Sequence, residues 1–167
     1  MPRGADAETR MSAAGVRRGY TLLTLYIIEV IKDLGTQSSL DKLMEAAEKQ
    51  GVIIAREMRK EMPPGLTFLE TGAEVYSRFM ADAGAEVKVH KRDETSVTFV
   101  IRRCPFHEAF LDVGVDCGIF LKGLCGNLTL PAIQATLSQF DHRLKVENLL
   151  TRQSAEEMCM ERVYISR

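Results

Sequence analysis

The sequence predicts an α+β domain in which N-terminal helices pack on a roughly four-stranded antiparallel sheet, with a helical insert between two hairpins. Two observations carry this reading. Through the first half of the chain, apolar residues recur every three or four positions, and after Gly84 the period drops to two. Extended segments then come in pairs, Val87 to Arg102 and Leu144 to Ile165, on either side of an apolar helical stretch. Strands joined by short connections favour antiparallel pairing.

Taken in order, residues 1 to 17 lack apolar periodicity, carry Gly4, Gly15 and scattered charge, and read as a flexible tail before a single domain over 18–167. From Tyr20 the run Leu22, Leu23, Tyr26, Ile27, Val30, Ile31 and Leu34 follows helical spacing, and Gly35 is placed to end it. The stripe is broad, which predicts a well-buried helix. Ser38 and Ser39 offer an N-cap for a second helix, which Pro63-Pro64-Gly65 must stop. Thr67 and Glu70 fit a capping box for a third helix that ends at Gly84.

Val87 and Val89, then Val97, Phe99 and Ile101, alternate with polar residues around Arg92-Asp93-Glu94, as in a hairpin with one buried face. Pro105 suits the first position of a short helix to about Val113. A further helical stretch starts near Cys117, with Gly126-Asn127 and Pro131 placed to break or kink it. Strands follow at Leu144 to Leu150 and Met158 to Ile165.

A chain of 167 residues is most economically one domain, burying roughly two thirds of its unfolded surface. With 22 Lys plus Arg against 23 Asp plus Glu and no basic run, it lacks a nucleic-acid footprint. The apolar segment Tyr20–Leu34 is interrupted by Thr24, Glu29, Lys32 and Asp33, too short and too charged for a membrane span, and no cleavage signal follows it. The expected location is the cytoplasm, where thiols stay reduced.

The chemistry-bearing residues gather late: Cys104, His107, Cys117, Cys125 and Cys159. Cys104, Cys117, Cys125 and Cys159 supply enough thiolates for a tetrahedral zinc site, with an iron–sulfur cluster as a second option, although no Cys-x2-Cys knuckle is present. Cys104 followed by Pro105 and His107 offers a different chemistry, a thiolate at a helix start beside an imidazole, with Cys104 as nucleophile and His107 as base. Phe106, Phe110, Phe120 and Tyr164 could line an apolar ligand pocket between the insert and the sheet. Gly118, Gly123 and Gly126 in one helical stretch suggest close packing there. Each feature also has an ordinary structural reading, since Cys, Met and Phe at such spacings commonly fill cores.

The phrase Cys104-Pro-Phe-His-Glu-Ala-Phe, the start Cys117-Gly-Ile-Phe and the closing Leu150-Thr-Arg-Gln-Ser-Ala-Glu-Glu-Met-Cys159-Met-Glu-Arg-Val-Tyr-Ile resemble the aminothiazoline-carboxylate hydrolase family. That family in turn resembles the 4-vinyl-reductase, or hydrocarbon-binding, domains and subunits of Golgi transport particles. The resemblance implies helices on a four-stranded antiparallel sheet, an apolar or heterocyclic small ligand, and a zinc site with Cys117 and Cys159 foremost, to which the hydrolase motif adds Cys104. It also implies an alternative activity, hydrolysis of a cyclic C–N bond. The expected protein is a cytoplasmic small-molecule binder with a cysteine-rich, metal-holding site, acting as a homodimer or as a subunit of a larger assembly.

Overall fold

The computed structural model describes residues 4–114, 123–154 and 156–166, with backbone alone for 4–13. Its elements are α1 (Gly4–Leu34), α2 (Thr36–Glu61), α3 (Phe68–Asp82), β1 (Glu86–Arg92), β2 (Ser96–Arg103) and α4 (Pro105–Val113). After them come a π-helical turn (Cys125–Thr129), α5 (Leu130–Ser138), β3 (Leu144–Leu150) and β4 (Cys159–Ile165). The strands form one antiparallel sheet in the order β1-β2-β4-β3, so β4 joins the two pairs by lying against both β2 and β3. The expected α+β architecture is the observed one.

Helix α1 starts at Gly4 rather than Tyr20, so the segment read as a tail continues the helix. Ala5, Ala7, Glu8, Arg10, Met11, Ala13 and Ala14 are nearly all strong helix formers, and propensity summed over such a window outweighs the missing apolar stripe. Arg17 fastens this helix to α4 through Asp112 and, at 3.9 Å, Glu108. Burial of α1 is only partial. Ile27 faces the core, whereas Leu22 and Tyr26 are 70% and 65% exposed, because the apolar stripe is wider than the surface α2 and α4 cover.

Gly35 ends α1 with φ +79°, a conformation that favours glycine, and α2 begins at once at Thr36. Ser39 is therefore not an N-cap. Its buried hydroxyl donates to the Gly35 and Val30 carbonyls at 2.7 and 3.2 Å, tying the end of α1 to the start of α2. Met62 is extended, as a residue before proline must be, and α2 stops at Glu61. The capping box on α3 is present: Thr67 Oγ1 accepts from Glu70 N–H at 3.3 Å and Thr67 N–H donates to Glu70 Oε2 at 2.9 Å. Gly84 follows with φ +80°.

In the β1–β2 turn, Asp93 Oδ1 accepts from the Thr95 and Ser96 N–H groups at 3.0 and 2.8 Å. Strand β2 is buried on both faces, not on one. Val97, Phe99 and Ile101 meet α3 and the core, while Ser96, Thr98 and Val100 lie opposite Tyr164, Arg162 and Met160 of β4. Those long side chains cover the short ones beside them. Arg162 stacks 5.4 Å from the Tyr164 ring centroid and pairs with Glu147.

Two close approaches fix the layers. A Cβ at Gly72 would sit 2.7 Å from Leu144 Cδ2, so α3 lies directly on the sheet. A Cβ at Gly51 would sit 2.3 Å from the Ala132 carbonyl oxygen, so α2 and α5 cross there with backbones almost touching, and Thr136 Oγ1 donates to the Gly51 carbonyl at 3.1 Å. The helix entering α5 widens into the π turn, with Leu130 N–H donating to Cys125 O. Pro131 supplies the reason, because it has no N–H to give and its ring crowds the preceding turn. Gly123 and Gly126 have open space where a side chain would go, so the close packing expected at these two glycines is absent; Gly118 lies outside the described residues.

Candidate functional site

Helices α1 to α4, the π turn and the first turn of α5 line a partly open cavity of about 810 Å³. Each wall comes from a short stretch of sequence. Tyr20 and Leu23 enter from α1, Ile54 and Met58 from successive turns of α2, and Phe79 and Met80 from the end of α3. Cys104, Pro105 and Phe106 at the start of α4 close one end, with Leu128 and Ala132 below. Phe106 is held edge-on between Tyr20 and Phe110, at centroid distances of 5.4 and 4.8 Å. Burial pushes the Tyr20 phenol pKa upward, and the nearby Cys104 adds to this. Among the lining residues that are not exposed, the polar side chains are Tyr20, Cys104, Thr129 and Arg78, and the rest are apolar.

Cys104 is the N-cap residue of α4, with φ −138°. Burial raises its thiol pKa, and the N–H groups of His107 and Phe106 and the charge of Arg152 offset this only in part. The helix start that was expected to activate Cys104 as a thiolate is thus outweighed by desolvation. His107 is 3% exposed, and its Nε2 has no hydrogen-bond partner among the described residues. Burial, helped by Arg152, lowers the imidazole pKa, which keeps the ring neutral near pH 7. Cys104 and His107 are neighbours at the head of α4, but Nε2 does not hold the thiol.

Behind the cavity wall lies a buried polar group that the sequence reading missed. Arg152 is 2% exposed; its Nη2 donates to Ile101 O at 2.6 Å and its Nε to Cys159 Sγ at 3.3 Å. Since Ile101 and Cys159 face each other across β2 and β4, the guanidinium closes the end of that ladder. Among the described residues no carboxylate is in ion-pair range of it. Glu161, 5% exposed, accepts from Tyr76 Oη at 2.7 Å, and the Tyr76 ring stacks on Phe99 with centroids 4.3 Å apart. Burial raises the Glu161 pKa despite that hydrogen bond and one involving Asn148. One sequence signal could have found Glu161: it occupies the inward position of the alternation Cys159, Glu161, Val163.

Cys104, Cys125 and Cys159 are near enough for their charges to act on one another: burial first, then Cys104, Glu161 and Cys159, drive the Cys125 pKa well above its ordinary value. Proximity is not ligation, however. Among the described residues no three His, Cys, Asp or Glu side chains stand where they could hold a metal ion, and Cys117 lies outside the described residues. The expected zinc or iron–sulfur set of Cys104, Cys117, Cys125 and Cys159 is in this part a group of three thiols beside Arg152. Of the expected ligand-binding aromatics, Phe106 lines the cavity, Phe110 is buried behind it, and Phe120 lies outside the described residues. Tyr164 is on the sheet, paired with Ser96 and Lys145, away from the cavity. Among the described residues the cavity lies among the helices, and the N-terminal helices supply most of its wall. No described helix is long and apolar enough to cross a membrane.

No protein-family model and no curated protein matches this chain. Solved structures do share its fold. The phenol-responsive sensory domain of the transcription activator PoxR, with phenol, superposes with a TM-score of 0.65 at 14% identity, over 87% of this chain and 74% of that one. A trafficking protein particle complex subunit 3 from Naegleria fowleri, covalently bound to palmitic acid, gives 0.65 at 15% identity, over 95% of this chain and 97% of that one.

Proposed function

We propose that this domain binds one small, largely apolar molecule, aromatic or aliphatic, in the cavity between α1, α2, α3 and the head of α4. The observation that carries the reading is the cavity itself, about 810 Å³ with walls of Leu23, Ile54, Met58, Phe79, Phe106 and Leu128. That is the size and character of pockets that take drug-sized ligands. The fold likeness to a phenol-responsive sensory domain and to a subunit carrying palmitic acid supports the same assignment. Affinity comes from burying the ligand's apolar surface, roughly 25 cal/mol per Å².

A neutral fluorescent probe such as Nile red tests this, with native mass spectrometry for stoichiometry. One probe per chain is expected. Ile54→Trp and Leu128→Trp, which fill the cavity from two helices, each weaken binding by about tenfold or more, a loss of 1.4 kcal/mol. Undiminished binding in both filled variants would refute the assignment.

A further inference from the structure

The apolar walls say what the body of the ligand is, and the mouth says what its polar end can be. The exposed residues of the lining are Gln50, Glu57, Glu61 and Asp82, three carboxylates and an amide. Among the described lining residues the one cation is Arg78, and it is already committed. Its Nε donates to Glu74 Oε1 at 2.6 Å, its Nη1 donates to Glu61 O at 3.3 Å and lies 3.8 Å from Glu61 Oε2. Neither Glu57 nor Asp82 has an ion-pair partner among the described residues. Inside, the polar groups are the Thr129 hydroxyl, the Tyr20 phenol and the Cys104 thiol, and the raised pKa values of the last two leave them uncharged near neutral pH.

We propose that the cavity selects amphiphiles whose polar end is cationic, alkyl- or arylammonium compounds, over carboxylates of the same chain. This rests on the cavity being a ligand pocket and adds to it a sign. With the apolar body buried, the polar end emerges between α2 and the end of α3. Among the described lining residues, a carboxylate arriving there meets Glu57 and Asp82 with no free cation to receive it, whereas an ammonium group meets two open acceptors. These charges act through water inside the Debye length of a dilute buffer, about 30 Å at 0.01 M salt, and the expected preference is about tenfold.

Calorimetric titration of the intact chain with decylammonium, decanol and decanoate, each below its micellar concentration, tests the sign. In about 0.01 M salt the expected order is ammonium tightest, alcohol next and carboxylate weakest, with the spread shrinking severalfold at about 0.5 M salt. In Glu57→Gln/Asp82→Asn, two exposed changes outside the core, the ratio of ammonium to carboxylate affinity falls to about twofold. Carboxylate binding as tight as or tighter than ammonium, or an unchanged preference in the double variant, overturns the proposal. Binding of all three in that wrong order leaves the pocket assignment standing, whereas binding of none removes both.

Discussion

Gly51→Ala and Gly19→Ala are the same chemical change in two exposed-looking helical sequences, and the structure gives them opposite signs. In a free helix, alanine is favoured over glycine by about 0.8–1.0 kcal/mol. Gly19 has nothing within 4 Å of its missing Cβ, so Gly19→Ala should stabilise by about 0.5–1 kcal/mol. At Gly51 the new methyl would lie 2.3 Å from Ala132 O, 2.8 Å from Ala135 Cβ and 3.0 Å from Thr136 N, and two of those atoms are backbone that cannot rotate away. Helices α2 and α5 must separate, which strains the Thr136 hydrogen bond to Gly51 and adds an overpacking penalty of about 1–3 kcal/mol. With backbone atoms in the clash the penalty falls in the upper part of that range, about 2–3 kcal/mol, and the helix-propensity gain leaves a net loss of about 1–2 kcal/mol. For a chain of this size that is about 2–8 °C in Tm, downward for Gly51→Ala and upward by about 1–4 °C for Gly19→Ala. Urea unfolding at constant m-value gives the free energies. Because Gln50, Ile54 and Ala132 line the cavity on either side of this crossing, Gly51→Ala should also weaken Nile red binding. A stabilised Gly51→Ala would show that α2 and α5 do not cross here, and the cavity geometry would fall with the crossing.

The remaining predictions concern the buried polar groups. Glu161 has a folded-state pKa raised above 4.5, so between that value and the raised one the native state binds more protons than the unfolded chain, and stability falls as pH rises through the window. Glu161→Gln keeps an acceptor for Tyr76 and removes the slope, so its stability relative to wild type should improve from about pH 4.5 upward in urea titrations at several pH values, and parallel curves would contradict the assignment. Tyr76→Phe keeps the stack on Phe99 but withdraws the donor from a buried carboxylate, for a loss of about 1–3 kcal/mol by urea unfolding; a neutral result would mean that water replaces it. Cys104, with its thiol pKa raised, should react with iodoacetamide at neutral pH more slowly than a free cysteine, and more slowly still with decylammonium bound, as peptide mapping by mass spectrometry would show. Rapid alkylation unaffected by ligand would place the thiol outside the pocket.

What was legible in the sequence was whatever neighbouring residues decide among themselves. Thr67 and Glu70 make their capping box, Gly35 and Gly84 end their helices, Pro105 opens α4, and alternation marks β1 and β2, because caps, turns and periodicity are interactions across a few residues. Cys104 and Phe106 were visible as candidates for the same reason. Their local phrase sits at a junction between strand and helix.

The tertiary structure alone decided what surrounds them. Desolvation of Cys104, the lack of a partner for His107 Nε2 among the described residues, the burial of Arg152 and its closeness to three thiols all depend on which distant segments pack together. The cavity wall is built from Tyr20, Ile54, Phe79 and Leu128, residues whose periodicity says only that they are buried. Apolar periodicity tells which face of a helix leaves water, and not which partner meets it or how much space the meeting leaves. That space, set by the crossing at Gly51 and Ala132, is a property of two backbones far apart in the chain, and no local interaction encodes it.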